Sequence, residues 1–496
     1  MKELSKGSRL PLRRRKKRRS DPSDRGPSSN LPKNILPYEE DTVAAIATPF
    51  GESGIGIVRI SGSLAESIAK NLFRFKKNSR RFSSHCLHYG EIVEPESGIP
   101  VDEVLLVLMR GPRTYTREDC LEIHCHGGYL VLQKVLELVL RSGARLAQPG
   151  EFTRRAYFNG RIDLTQAEAV VDLIRSKTMM SLEIANQQLR GLLHDELCGM
   201  KQKLIDVLTL IEAHIDFPEE DLEPMSREFL RETLEALAKK THDMVASYEE
   251  GRIFREGISC AIIGKANVGK SSLLNILLRE DRAIVTPIPG TTRDAIEEVL
   301  NIREIPVRLV DTAGLRRTVD PIEMEGVRRT RQRVADSDLI LLVLDGSQPL
   351  SHEDTEILCE VETRKKVIVV NKRDLPLSIS IDQIRKFSEK DPAIFISALE
   401  NTGIDELKET IYRSLIQKNQ RISPEYVIVA NVRHKDALSR AGESIIAALK
   451  GVEEGASHEF IAFEVRSALE AIGEIIGETT HEDVLNRIFQ QFCIGK

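Results

Sequence analysis

The sequence contains no tryptophan, and aromatic residues make up only 5% of its 496 positions. That scarcity excludes a platform of stacked rings as the main way of holding nucleobases. Cysteine is sparse too: seven residues (86, 120, 125, 198, 260, 359 and 493) are scattered without paired spacing. A disulfide framework is therefore not expected, and a reducing, cytoplasmic setting is. No apolar run approaches the ~18 residues of a membrane span, so no membrane association is expected. Bulk positive charge is missing as well. The chain has 71 Lys/Arg against 76 Asp/Glu. Residues 1–40 hold 12 of the basic and 5 of the acidic residues, which leaves 59 against 71, a net charge of −12, in the rest. Any contact with nucleic acid must come from a local patch or a partner.

The basic excess in residues 1–40 centres on RRRKKRR, Arg13 to Arg19. No apolar segment accompanies it, which excludes a secretory signal, and Glu3, Asp21 and Asp24 argue against a transit peptide. Two readings stand: a solvated, disordered tail, or an arm that touches RNA.

What is present points to about three domains. From about Asp41 to Gly160, short apolar stretches alternate with Gly and Pro (TVAAIATPFGESGIGIVRISG, VDEVLLVLMRG, CLEIHCHGG), and VLQKVLELVLRSG reads as an interposed helix. From about Arg161 to Glu256 the composition turns to Ala, Leu, Glu and Lys with helical periodicity, interrupted only in DFPEEDLEP, which reads as a solvated loop. From Ile258, apolar strands (VRLVD, DLILLVLD, KKVIVVNK, AIFISA) alternate with helices, which predicts a parallel sheet covered on both faces. After about Gln420 the helical pattern returns. The expected class is multidomain α+β and α/β: a tail over 1–40, an α+β domain over 41–160, a helical domain over 161–256 and 420–496, and an α/β domain over 257–419 inserted into it.

The inserted segment carries the chemistry. GKANVGKS (Gly264 to Ser271) follows a predicted strand and opens a helix, the setting a phosphate-binding loop requires. Its glycines let backbone N–H groups turn inward onto phosphate oxygens, and the helix N-terminus adds partial positive charge. Lys270 is placed for the outer phosphates and Ser271 for Mg2+. PGTTRD follows, with Thr292 completing the magnesium shell. DTAG comes next, with Asp311 behind the metal and the Gly314 N–H toward the γ-phosphate. In NKRD, Asp374 can accept two N–H donors that guanine has and adenine lacks, which favours GTP. Asn371 and Lys372 brace the loop, and SAL completes it. The expected nucleotide site is Asn267, Val268, Gly269, Lys270, Ser271 and Ser272; Thr286, Pro287, Ile288, Pro289, Gly290, Thr291 and Thr292; Asp311, Thr312, Ala313 and Gly314; Asn371, Lys372, Arg373 and Asp374; and Ser397, Ala398 and Leu399.

One position departs from the common GTPase pattern. Leu315 stands where a water-orienting Gln is frequent, and it can neither donate nor accept a hydrogen bond. Two features offer compensation. The oxygens of Asn267, Thr286, Ile288 and Thr291 could hold a monovalent cation beside the phosphates. Glu323, in EMEG, could orient the water, or it could simply solvate a switch helix.

At this point the sequence resembles one family, the tRNA-modification GTPases MnmE (also called TrmE). The resemblance runs from Asp41 to Lys496 and is carried by DTVAAIATPFGESGIGIVRISG, YTREDCLEIHCHGG, PGEFTRRAYFNGRIDLTQAEA, the GTPase motifs with EMEG, and the terminal FCIGK. It implies a folate-binding domain, a discontinuous helical domain and an inserted GTPase domain, working as a homodimer. It implies K+ at Asn267, Thr286, Ile288 and Thr291, with Glu323 as the catalytic glutamate. It implies a 5-formyl-tetrahydrofolate or other one-carbon tetrahydrofolate cofactor at Arg59, Glu122, Arg161 and Lys496. Where the family commonly has Lys, this chain has Arg161, which keeps the charge but changes the head group. The resemblance further implies a heterotetramer with the flavoprotein MnmG that adds a carboxymethylaminomethyl group to the wobble uridine of certain tRNAs.

Cys493 in FCIGK is a candidate nucleophile or a structural thiol. Thr480 is expected to cap the last helix, with Cys493 at its C-terminus. Cys120, His124 and His126 alternate onto one strand face; strand packing is weighed there against a metal site, for which no second ligand cluster follows. The competing function is a regulatory GTPase switch without modification chemistry. It shares the nucleotide motifs but leaves the N-terminal block and the CIGK end unexplained.

Overall fold

The computed structural model describes residues 41–49, 51–76, 81–216, 226–281, 299–310, 336–387, 390–416 and 428–496. The basic run lies outside them, as does the segment DFPEEDLEP apart from its first residue, Asp216.

The first part is a seven-stranded sheet: β1 (Val43–Ile46), β2 (Ser53–Ser61), β3 (Phe73–Phe75), β4 (Leu87–Val93), β5 (Pro100–Met109), β6 (Cys120–Gly127) and β7 (Arg145–Leu146), in the order β3-β4-β5-β6-β2-β1-β7. All neighbours are antiparallel except β1 and β7. Strand side chains alternate between faces. Val58 and Ile60 of β2 and Leu121 and Ile123 of β6 therefore share a core with Ile68, Leu72, Leu132 and Val135 from helices Ala65–Leu72 and Tyr129–Arg141. A Cβ at Gly56 would lie 2.5 Å from a Leu132 methyl, so glycine sets how closely the second helix approaches the sheet. The same alternation sends Arg59 and Glu122, directly opposite each other in the β2–β6 register, to the other face.

The helical part is built on four long helices, Leu192–Asp216, Arg227–Ala246, Val432–Glu454 and His458–Ile476. Leu193, Leu197, Met200, Leu204, Val207 and Ile211 recur at alternating spacings of four and three and are all buried, as a bundle seam requires. Ser226 and Ser457 cap two of the helices, each accepting a backbone N–H three residues on.

The inserted part is a six-stranded sheet: β8 (Ile258–Ile263), β9 (Val299–Ile302), β10 (Ile305–Val310), β11 (Leu339–Asp345), β12 (Lys366–Asn371) and β13 (Ala393–Phe395), in the order β13-β12-β11-β8-β10-β9. Only β9 runs antiparallel. Alternate residues of β11 enter opposite cores, Leu339, Leu341 and Val343 one, Ile340, Leu342 and Leu344 the other, which is why the strand reads as one unbroken apolar run.

Helix Leu164–Arg175 ties both chain ends of this insertion. Its Asp172 meets Arg255, just before β8, at 2.8 Å. Its Glu168 takes Asn431 (3.1 Å), Arg433 (2.7 Å) and His434 (2.7 Å), just after the chain returns. Glu168 is buried, which would raise its pKa, but the charges of Arg433 and His434 outweigh this and hold it well below the carboxylate range.

Two sequence expectations need correction. The strand β9 was not anticipated. The Thr480 hydroxyl does not cap the last helix; it donates to the Glu474 carbonyl at 2.9 Å, ending the preceding helix. The last helix, Glu482–Phe489, starts behind His481, whose side chain makes no capping bond, and ends before Cys493. Among the described residues no helix is long and apolar enough to cross a membrane.

Candidate functional site

Two polar constellations stand out. The first lies at the C-terminal ends of the parallel strands. After β8 the chain turns through Gly264 (φ 146°), Asn267 (φ 65°) and Gly269 (φ 96°) into helix Lys270–Asp281. Positive φ costs little only for glycine and is tolerated by Asn, which accounts for those residue types there. A Cβ on Gly269 would sit 2.1 Å from Asn371 Nδ2, and one on Gly264 would sit 2.3 Å from the Val343 carbonyl. Lys270 Nζ donates to the carbonyls of Gly264 (2.7 Å) and Lys265 (2.6 Å), so the lysine spans its own loop. Ser271 and Ser272 are exposed at the helix start, where backbone donors are unpaired by the helix itself.

Asn371, the last residue of β12, joins two loops. Its Nδ2 donates to the Val268 carbonyl at 2.8 Å, and its Oδ1 accepts the Ala398 N–H at 2.9 Å. Lys372 (φ 66°) pairs with Asp345 at 2.6 Å. Burial pushes Asp345 up, but the Lys372 ammonium and the Ser347 donors bring it below its usual value. Asp345 was not anticipated; its only signal was an acid closing the apolar run LILLVLD. Ser397 Oγ donates to Asp374 Oδ1 at 2.5 Å, which fixes the carboxylate. Leu399 is exposed beside it. Thus Asn267, Val268, Gly269, Lys270, Ser271, Ser272, Asn371, Lys372, Arg373, Asp374, Ser397, Ala398 and Leu399 form connected loops. Thr286 to Thr292, Asp311 to Gly314, Leu315 and Glu323 lie outside the described residues. So does every expected ligand of the two metal ions except Asn267 and Ser271.

The second constellation lies on the uncovered face of the first sheet. Arg59 Nε meets Glu122 Oε1 at 2.8 Å, and Arg59 Nη1 donates to the Gly495 carbonyl at 3.1 Å. The chain's end reaches this sheet because Phe492, Phe489 and Leu485 pack with Tyr157 and Leu164, and the Phe152 N–H takes the Lys496 carbonyl at 3.2 Å. Gly495 (φ 95°) passes so close to β1 that a Cβ would lie 2.5 Å from the Ile46 carbonyl. Burial, then the Arg59 charge, pushes the Lys496 ammonium down, while Glu122 and Cys493 counter them. Arg161 donates to the Thr114 carbonyl at 2.7 Å and lies over the Tyr115 ring at 5.5 Å. Burial raises the Tyr115 phenol, against the Thr153 hydroxyl and the charges of Arg59 and Arg161, which pull it down. Arg59 and Glu122 are thus paired, the chain's end reaches Arg59 through the Gly495 carbonyl, and Arg161 and Lys496 act on the same cluster through their charges. Cys493 is exposed next to Lys496. Tyr115 and Phe152, whose ring lies under Arg59 at 5.8 Å, were missed from the sequence. On β6, His126 pairs instead with Asp102 at 2.7 Å, and Cys120 is buried against Ser61 and Thr116.

Residues 42–161 match the family model described as GTP-binding protein TrmE N-terminus, and residues 164–493 match the MnmE helical domain. The chain is 51% identical over 460 residues to a tRNA modification GTPase MnmE of Geobacter sulfurreducens, covering 92% of this chain and 100% of that protein. A protein of the same description from Thermoanaerobacter pseudethanolicus is 48% identical over 458 residues, covering 92% and 99%. Among solved structures, the G domain of the T. maritima FeoB iron transporter is 28% identical, covers 32% of this chain and 98% of that one, and has a TM-score of 0.25.

Proposed function

The chain belongs to the MnmE (TrmE) family, and on that premise we propose that it is a potassium-dependent GTPase of tRNA modification. With the flavoprotein MnmG, it adds a carboxymethylaminomethyl group to the wobble uridine of certain tRNAs. The carbon comes from a 5-formyl- or other one-carbon tetrahydrofolate, and GTP hydrolysis drives the conformational cycle. The working unit is a homodimer, joined by MnmG into a heterotetramer, in the cytoplasm. The domains are 41–160 for folate, 161–256 with 420–496 for the helical scaffold, and 257–419 for GTP.

The observation that carries this reading is the coexistence of two prepared sites in one chain. The first fits a guanine nucleotide. The phosphate loop is threaded with residues that tolerate positive φ and packs directly on Asn371, and the Asp374 carboxylate is already oriented by Ser397. Asp374 accepts the paired guanine N–H donors, and Lys270 meets the outer phosphates. Ser271 and Thr292 hold Mg2+. Asn267, Thr286, Ile288 and Thr291 hold K+, which supplies positive charge where negative charge develops during transfer to water. Glu323 orients that water, the task Leu315 cannot perform.

The second site fits an anionic, N–H-rich ligand. Glu122 can accept paired N–H donors of a pterin edge, while Arg59, Arg161 and Lys496 offer cations to a glutamate carboxylate. The contact of Arg59 with the Gly495 carbonyl, which brings the chain's end to this sheet, supports this reading. A regulatory switch would have no use for such a cluster. Cys493 lies beside it, as nucleophile or as structural thiol.

GTP turnover compared in K+ and Na+ at equal ionic strength tests the potassium assignment. Faster turnover in K+ is expected, lost in Asn267→Ala; equal rates would remove K+ from the mechanism.

A further inference from the structure

Outside both constellations, a cysteine, a histidine and an aspartate stand in line on the helical part. His194 and Cys198 are four residues apart on helix Leu192–Asp216, hence on one face. Cys198 Sγ lies 3.4 Å from His194 Nε2. The other ring nitrogen, Nδ1, is buried and lies 3.0 Å from Asp163 Oδ2, an ion-pair contact whose angle is not that of a hydrogen bond. Asp163 is itself held. Its Oδ1 accepts the Gln166 N–H at 3.0 Å and the Thr165 hydroxyl at 2.6 Å, capping helix Leu164–Arg175 and leaving Oδ2 to the imidazole.

The order thiol, imidazole, carboxylate is the one that activates a sulfur nucleophile: the carboxylate orients the ring, and the ring keeps the thiol's proton. His194 sits in the first turn of its helix, where the macrodipole disfavours a cation, so the carboxylate is needed. The contact with Asp163 first, and that with Cys198 second, pushes the His194 pKa up to about 10 against burial. The ring is therefore charged at neutral pH. Lys201, further along the same helix, is engaged by Glu478. A metal does not suit the arrangement, because the two ring nitrogens face different partners. Among the described residues no group of three His, Cys, Asp or Glu is disposed to hold an ion. Cys198 is half-buried, packed on the bundle core on one side and partly exposed.

We propose that Cys198 is an oxidative modification site, whose sulfur, held against the His194 imidazole, reacts with small peroxides. The sulfur attacks one peroxide oxygen of hydrogen peroxide; the S–O bond forms and the O–O bond breaks. The departing hydroxide takes a proton from His194, which the thiol's proton replaces, and leaves as water. Sulfur loses two electrons to the peroxide and becomes a sulfenic acid.

The contrast with the other cysteines is the test. Cys125 and Cys260 are buried, and burial pushes both thiols up to about 12. Cys86 and Cys359 are exposed and serve as the comparison. A thiol in contact with a charged imidazole gains about fivefold in reaction rate over one without such a partner. The reduced full-length chain is pulse-labelled with iodoacetamide at pH 7 and read peptide by peptide by mass spectrometry. Cys198 is expected to react about fivefold faster than Cys359, and His194→Gln to remove that advantage while Cys86 and Cys359 keep their rates. Asp163→Asn should slow Cys198 in the same direction. After a brief exposure to hydrogen peroxide, dimedone should mark Cys198 ahead of Cys86 and Cys359. A Cys198 no faster than Cys359, or one indifferent to His194→Gln, overturns the assignment. If Cys86 and Cys359 change rate in the variant, its fold has changed and the comparison within the unsubstituted chain decides.

Discussion

Single side chains carry the specificity of the nucleotide site. Asp374 is held by Ser397, so its carboxylate is positioned before any base arrives. Asp374→Asn replaces a double acceptor by one donor and one acceptor. Two charge-assisted bonds are then lost, and the GTP dissociation constant should rise by about 100-fold or more, measured with a fluorescent guanine nucleotide. A change under threefold would remove Asp374 from guanine recognition. Gly269→Ala should be worse than a lost contact, because the new methyl meets Asn371 Nδ2. Loss of nucleotide binding and about 1–3 kcal/mol of stability are expected by calorimetry. These residues were legible because backbone geometry and base chemistry restrict each position to very few residue types. Tyr115 and Asp345 were not, since an aromatic beside an arginine or an acid ending a strand has many commoner explanations.

Elements differ in how openly they announce themselves. The bundle helices and the parallel strands declare themselves by period. Strand β9 did not: it has four residues, and its turn to β10 places Arg303 (φ 49°) and Glu304 (φ 69°) where Asn-Gly is the usual signal. Those side chains are otherwise engaged, Arg303 with Glu409 at 2.6 Å and Glu304 with the Met180 N–H at 3.1 Å. The seam on helix Leu164–Arg175 was equally silent, because its partners come from the far side of the insertion. Glu168→Ala leaves Arg433 and His434 without their carboxylate and should cost about 3–5 kcal/mol in denaturant unfolding. A cost below 1 kcal/mol would mean the seam does not hold the two connections. Glu151, at the start of helix Glu151–Phe158, gives a pH-dependent case. Burial opposes its ionisation, but Arg145, the Gln148 N–H and Arg155 bring it from 4.5 down to about 2. Its folded pKa is depressed, so its contribution is complete above pH 4.5 and disappears as the pH falls toward 2. The stability difference between the protein and Glu151→Gln should be about 3 kcal/mol at pH 6 and shrink steadily in melts below pH 4.5; a constant difference would contradict this.

At the scale of the whole molecule, the chain's last residues return to its first sheet. Gly495 lies against β1, and Lys496 closes on Arg59 and Glu122. Gly495→Val should expel this end. Folate binding would then fall while GTP turnover by the distant loop persists, and a parallel loss of both would show that the two sites are not separable. The three-part plan was readable from periodicity and motif order. The closure of the second site by the chain's end was readable only through family resemblance, since nothing local in FCIGK says where it docks. The central claim is that both sites serve one modification. It is tested most directly by nucleoside mass spectrometry of tRNA from cells that lack the family's enzyme, supplied with this chain or with its Lys270→Ala variant. The account predicts that the carboxymethylaminomethyl wobble uridine returns with the chain and not with the variant. Its absence from cells that contain folded, GTP-hydrolysing protein bound to the host's MnmG would contradict the account.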